Sequence, residues 1–200
     1  MKLKILMNEE NIDKYLEQQI KSIESLKEHH TELQEIFNIL KNARDQGNQV
    51  FVMGNGGSAS TASHFVADLL KTSITNENKR FKAISLSDNI PVLLAWSNDE
   101  SYDTVFSNQL ENFLEKDDVV IGISGSGNSK NVLNAIQLAN EKYATTVGLN
   151  GKGGGELSEI VKINLTVKSD DMLTIETIHL LICHLLTTMI RSDGTPKFNY

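Results

Sequence analysis

The chain has 200 residues, 40% of them hydrophobic and 22% charged, with a formal net charge of −7. That length suits one domain, large enough to hide roughly 70% of its unfolded surface. The acidic balance argues against a broad nucleic-acid surface, and the single Cys183 excludes an intrachain disulfide or a cysteine-rich zinc site. The basic, apolar stretch Met1–Met7 is too short for a signal peptide, and no apolar run is expected to span a membrane. A cytoplasmic protein is the expectation.

In chain order, residues 9–47 carry few strand formers, one glycine and no proline. Apolar residues recur at Ile12, Tyr15, Leu16, Ile20, Ile23 and Leu26, then at Leu33, Ile36, Phe37 and Leu40, which is helical spacing. Two helices ending at Gly47 are predicted, forming an arm that either covers the sheet or pairs with a neighbouring copy. Five β-branched, apolar runs follow at 49–53, 82–87, 119–124, 145–149 and 162–167. Helical stretches separate them near 58–72, 89–97, 102–115, 129–142 and 156–160, and a last apolar helix covers 171–190. Strand alternating with helix implies βαβ units and a parallel sheet covered on both faces. The glycine turn 150–155 reads as flexible, and the tail 191–200 as loose or docked on a neighbour.

Two turns carry the chemistry. Gly54-Asn55-Gly56-Gly57 closes the first strand and opens a helix at Ser58. Backbone N–H groups and the helix dipole make such a turn an anion cradle. The same helix places His64 and Asp68 four residues apart on one face. The second turn, Ser124-Gly125-Ser126-Gly127-Asn128-Ser129, adds hydroxyl donors beside another helix N-terminus and suits a phosphate monoester without a metal. Neither turn has the spacing of a P-loop or of a dinucleotide fingerprint. One such turn would read simply as a tight βα connection; two serine-decorated turns favour phosphate binding. The last helix carries Glu176, His179 and His184. At 100° per residue Glu176 and His184 lie within about 80° of one another. A single histidine on so apolar a helix is expected to serve the core or an interface.

The segments GNGGSASTASHFVADL, ISLSDN, GISGSGNSKNVLNAI, GLNGKGGGEL and IETIHLLICHLL, in that order, resemble the sugar-isomerase (SIS) superfamily. Within it the likeness is to phosphoheptose isomerases, which interconvert sedoheptulose 7-phosphate and D-glycero-D-manno-heptose 7-phosphate. The resemblance implies a three-layer αβα sandwich with a five-stranded parallel sheet and an N-terminal helical arm. It also implies a homotetramer with active sites at subunit interfaces, no nucleotide cofactor, and no nucleic-acid or membrane partner.

By the same resemblance, substrate and phosphate contacts fall on Asn55, Gly56, Gly57, Ser58, Asp88, Ser124, Ser126, Ser129 and Glu176. The catalytic pair falls on Asp68 and His184. Zinc, which some members bind, would fall to His64, Asp68, Glu176 and His184. The chain departs from the family pattern with aspartate for glutamate at 68, glutamate for glutamine at 176 and glycine for threonine at 125. Leu173 and Thr174 replace an aspartate and an arginine. The implied reaction moves a proton between C1 and C2 through a cis-enediol(ate). The rival reading is a non-catalytic relative that senses a sugar phosphate or binds a protein such as a replication initiator.

Overall fold

The computed structural model describes the backbone of residues 2–199 and the side chains of 9–199. Met1, Tyr200 and the side chains of residues 2–8, including those of the basic N-terminal stretch, lie outside the described residues. Helix α1 (Lys2–Ser25) passes through a 3-10 turn, Leu26–His29, into α2 (His30–Gln46). Gly47 ends α2 at φ 81°, and its N–H returns to the carbonyls of Ala43 and Arg44, the left-handed cap that glycine adopts without steric cost.

The core alternates β1 (Gln49–Gly54), α3 (Gly57–Ala67), β2 (Lys82–Ser85), α4 (Ile90–Asp99), α5 (Ser107–Glu111), β3 (Val119–Ser124) and α6 (Lys130–Glu141). It continues with β4 (Thr145–Asn150), α7 (Leu157–Ile160), β5 (Ile163–Thr166) and α8 (Met172–Arg191). All five strands run parallel in the order β2-β1-β3-β4-β5. Period-two alternation divides the core. Val50, Val52, Ile121 and Ile123 pack with residues of α2, α3 and α8, including Leu40, Phe65 and Ile178. Phe51, Met53 and Val120 pack on the other face with Phe106, Leu110 and Ile136. These are the three layers expected from the sequence.

The strand order reverses between β1 and β3: the chain moves outward to β2 on one side and to β4 and β5 on the other. In open α/β sheets the crevice at such a reversal, beyond the carboxyl ends of the strands, is where ligands bind. Gly54 pairs with Ile123, so both serine-bearing turns open onto that crevice.

Several segments depart from their sequence-based reading. The helix expected over 102–115 is broken into a 3-10 turn, Tyr102–Thr104, and the short α5. The Ser101 hydroxyl caps that turn by accepting from Asp103 N–H at 3.1 Å, and Asn134 Nδ2 donates to the Asp103 carbonyl at 2.8 Å, tying it to α6. The glycine turn after β4 is pinned, with Leu157 N–H donating to the Gly127 carbonyl at 2.9 Å and Glu156 N–H to Asn128 Oδ1 at 3.0 Å. Gly127, at φ 67°, leaves no room for a Cβ against the Gly154 carbonyl, so the two turns interlock backbone to backbone.

The tail also holds to its own chain. Pro196 forms an antiparallel bridge with Thr75, and Asp193 Oδ2 accepts from Arg44 Nη2 at 2.8 Å and Lys41 Nζ at 2.7 Å. These cations hold the Asp193 carboxyl below its usual range.

Helix α8 is long and apolar enough, by composition, to cross a membrane, which the sequence reading did not anticipate. Here it is a core helix: Ile175, Ile178, Ile182 and Ile190 are fully buried against the sheet. Its His179 is buried too, with Nε2 3.1 Å from the Asn150 carbonyl oxygen and Nδ1 without a partner. Burial pushes its pKa down from 6.5 to about 4.

The unfolded chain therefore takes up a proton at this imidazole that the folded chain refuses between those values. Stability contributed by the neutral ring is present above about pH 6.5 and is lost as pH falls towards 4. From pH 7.5 to pH 5 this one group is expected to cost about 2 kcal/mol. Urea unfolding at both pH values should show the loss, and His179→Gln should remove that share of the pH dependence.

Candidate active site

The first turn is local in origin. Asn55 accepts at its carbonyl from Ser58 N–H at 3.0 Å, and Gly56 at φ 55° lets the chain enter α3. The second turn stands beside it. Ser124 Oγ and Ser129 Oγ are 3.0 Å apart, and Ser126 Oγ accepts from Asn128 N–H at 3.2 Å.

Asn55, Ser58, Ser124, Gly125, Ser126, Ser129 and Glu176 line one polar cavity of about 210 Å³. Ser58 and Ser129 stand at the N-terminal ends of α3 and α6, so both helix dipoles favour an anion there. Among the described residues, no lysine or arginine lines this cavity. Its binding capacity comes from hydroxyls, an amide and helix termini.

Glu176 reaches the cavity from α8. A Cβ on Gly57 would collide with its carboxylate, so that glycine is what lets the acid approach the first turn. Gly56 meets no such neighbour; its contribution is its backbone conformation. Asp88 lies elsewhere. It follows β2, accepts from Ser63 Oγ and from Ser85 Oγ at 3.1 Å, and lines an open groove beside Ile84 and Ile90 rather than the serine cavity.

Helices α3 and α8 pack side by side, and their second halves bring the acid and imidazoles together. His64 Nε2 and His184 Nε2 are 3.0 Å apart. Asp68 Oδ2 lies 3.7 Å from the first and 3.8 Å from the second. The two rings meet edge to face with centroids 4.9 Å apart. Asp68 is nearly buried, with its side chain 12% exposed, whereas those of both histidines are about half exposed. A carboxylate under two solvent-facing imidazoles is suited to proton transfer with a ligand above it.

The donor set also fits a metal ion. Ligands held at 2.0–2.1 Å around a tetrahedral zinc stand about 3.3 Å from one another, and these three atoms are 3.0 to 3.8 Å apart. His64, Asp68 and His184 form the cluster. Glu176, the fourth residue of the expected zinc set, is not a member of it and faces the serine cavity.

Asp68 also begins a π-helical turn, Asp68–Thr72, in which Ser73 N–H reaches back five residues to the Asp68 carbonyl at 2.8 Å. Such turns recur at functional sites. Nothing in the spacing of residues 58–72 announced it.

Two site neighbours were missed from sequence. Asn131 and Asn55 exchange amide hydrogen bonds, each at 2.9 Å, and Tyr102 Oη donates to Asn55 Oδ1 at 2.8 Å. Asn131 lies just past the second glycine-serine turn, whose serines drew the attention, and Tyr102 lies in a stretch expected to be plain helix.

The six residues from Ser58 to His64 correspond to about 9 Å of helix, the scale of an extended six- or seven-carbon sugar phosphate. Fold and site thus define a doubly wound α/β protein that can hold a phosphate ester at one end and move a proton at the other.

Comparison with known proteins agrees with that class. The SIS domain family matches residues 14–151. Phosphoheptose isomerase of Helicobacter hepaticus is 40% identical over 161 residues, covering 80% of this chain and 82% of the relative. The enzyme of the same name from Helicobacter pylori is 41% identical over 177 residues, covering 88% and 90%. Among solved structures, phosphoheptose isomerase from Neisseria gonorrhoeae superposes with a TM-score of 0.85 at 27% identity, over 92% of this chain and 98% of that one. The phosphoheptose isomerase from Francisella tularensis gives 0.83 at 28% identity, over 92% and 97%. The chain belongs to the SIS domain family, in its phosphoheptose isomerase branch.

Proposed function

We infer that the protein is an aldose–ketose isomerase that interconverts sedoheptulose 7-phosphate and D-glycero-D-manno-heptose 7-phosphate. The observation that carries this reading is that α3 and α8, which reach the two serine turns through Ser58 and Glu176, carry the His64/Asp68/His184 cluster further along.

The serine hydroxyls, the Asn55 amide and the N-termini of α3 and α6 hold the phosphate. Asp68 takes the proton from one of C1 and C2 and returns it to the other through a cis-enediol(ate). His184 exchanges protons with the sugar oxygens. His64, Asp68 and His184 would hold a zinc ion, which supplies Lewis-acid polarisation of the sugar carbonyl when bound.

Helix α1 turns Ile12, Leu16, Ile20 and Ile23 outward at 41–57% exposure. An apolar stripe of this kind supports a homo-oligomer, read here as a tetramer with interfacial active sites. A cytoplasmic setting belongs to the same reading and is supported by the lone, buried Cys183. The rival, a non-catalytic relative that senses a sugar phosphate or captures a protein such as a replication initiator, is not favoured. The relatives are named as isomerases, and both ionisable groups of the proposed catalytic pair are present and adjacent.

The test is turnover of a panel of six- and seven-carbon sugar phosphates by the purified protein, with chelator and with zinc added back. Turnover of the heptose pair is expected. Turnover confined to hexose phosphates would overturn the substrate, and no turnover of any member would overturn the enzyme.

A further inference from the structure

Tyr102 sits on the short turn between α4 and α5, and its side chain has little part in the core: the residue is 53% exposed. Its hydroxyl nevertheless donates to Asn55 Oδ1 at 2.8 Å. The orientation of the amides around it can be followed from a group that has no choice. Val132 N–H can only donate, and it is shared between the Ser129 carbonyl and Asn131 Oδ1, each at 3.0 Å; an amide nitrogen in place of that oxygen would set donor against donor. Asn131 Nδ2 accordingly faces Asn55 Oδ1, and Asn55 Nδ2 faces Asn131 Oδ1, each at 2.9 Å.

Asn55 Oδ1 has two lone pairs, and Asn131 and Tyr102 fill both. Asn55 Nδ2 has two hydrogens, and Asn131 takes one. The remaining N–H belongs to a residue that lines the serine cavity. The carboxamide oxygen is the part of Asn55 that would repel an anion. Tyr102 and Asn131 keep it occupied.

The turn is built to hold the phenol there. Ser101 caps it, and Asn134 ties the Asp103 carbonyl to α6. Asn131, 2% exposed, lies on the same helix. One element thus carries both the buried partner of Asn55 and the anchor of its exposed one.

We propose that Tyr102 is a positioning residue for anion binding: through Asn55 Oδ1 it holds the Asn55 amide with its free N–H presented to the phosphate of the substrate. The proposal rests on the reading of the serine cavity as the phosphate site, and the experiment separates the two. Inorganic phosphate is the probe, titrated calorimetrically into wild type, Tyr102→Phe, Asn55→Ala, Ser124→Ala and the Tyr102→Phe/Asn55→Ala double variant. Steady-state kinetics on the sugar phosphate follow in the same proteins.

Loss of one neutral hydrogen bond is expected to weaken phosphate binding about five-fold in Tyr102→Phe. A similar rise is expected in KM, with the effect falling on KM rather than kcat. Because Tyr102 acts through Asn55, the double variant should bind phosphate no more weakly than Asn55→Ala alone. Phosphate affinity within two-fold of wild type in Tyr102→Phe would overturn the proposal, as would multiplying losses in the double variant. If Asn55→Ala and Ser124→Ala themselves bind phosphate like wild type, the cavity reading falls and takes the proposal with it. Thermal unfolding of Tyr102→Phe should match wild type, since an exposed ring loses only its hydroxyl.

Discussion

Asp68→Asn is expected to lower turnover by at least about a thousand-fold, the upper part of the range for loss of a positioned general base. The amide keeps the size and position of the side chain at the start of the π turn but cannot take a proton. Phosphate affinity should stay near wild type, because Ser58, which lines the serine cavity, lies ten residues and about 15 Å of helix before Asp68. The decisive measurement is exchange of the substrate's C1 and C2 hydrogens with deuterated solvent. Wild type should wash in deuterium, and Asp68→Asn should not. Exchange at the wild-type rate in the variant would remove Asp68 from the proton-transfer role. Asp68→Glu restores a carboxylate one methylene further out and should recover part of the exchange, since the groups around Asp68 Oδ2 stand at 3.7 and 3.8 Å rather than in tight contact.

The second large effect is expected at His184. Replacing it with alanine removes one of three clustered donor atoms and leaves His64 Nε2 without its 3.0 Å partner. Turnover should fall by at least about a hundred-fold. Metal content offers an independent readout: wild type dialysed against zinc should retain about one ion per chain, and His184→Ala much less. Wild-type protein that retains no zinc would exclude the metal but leave His184 as an acid/base. Full activity in His184→Ala would exclude it from both roles. The same protocol on Glu176→Gln tests its placement. As a cavity residue outside the cluster, Glu176 should alter phosphate affinity more than zinc content. Removing its charge should tighten phosphate binding.

Much of this protein is legible from local pattern. β-branched apolar runs and helix-period stretches identify every strand within two residues, because the central strands β1, β3 and β4 are buried on both faces almost throughout. Asn55, Ser58, Ser124, Ser126 and Ser129 announce themselves through glycine-serine turns at strand ends, and the cavity gathers all five. The i,i+4 spacing of His64 and Asp68 follows from helix geometry alone. A lone histidine on so apolar a helix was expected to serve the core or an interface, and His179 is buried with a depressed pKa.

The remainder depended on contacts between distant parts of the chain. Strand order places the β1 and β3 turns side by side, and periodicity carries no information about which strands pair. His184 meets His64 across 120 positions only because α8 packs along α3. The same packing sends Glu176 to the serine cavity, although helical phase alone allowed it to share a site with His184. Tyr102 reaches Asn55 because a capped turn bends the chain where a longer helix was expected. Hydrogen-bonding capacity and side-chain period are local properties and can be read residue by residue. Which donor meets which acceptor is a property of packed surfaces, and there the tertiary structure alone decides.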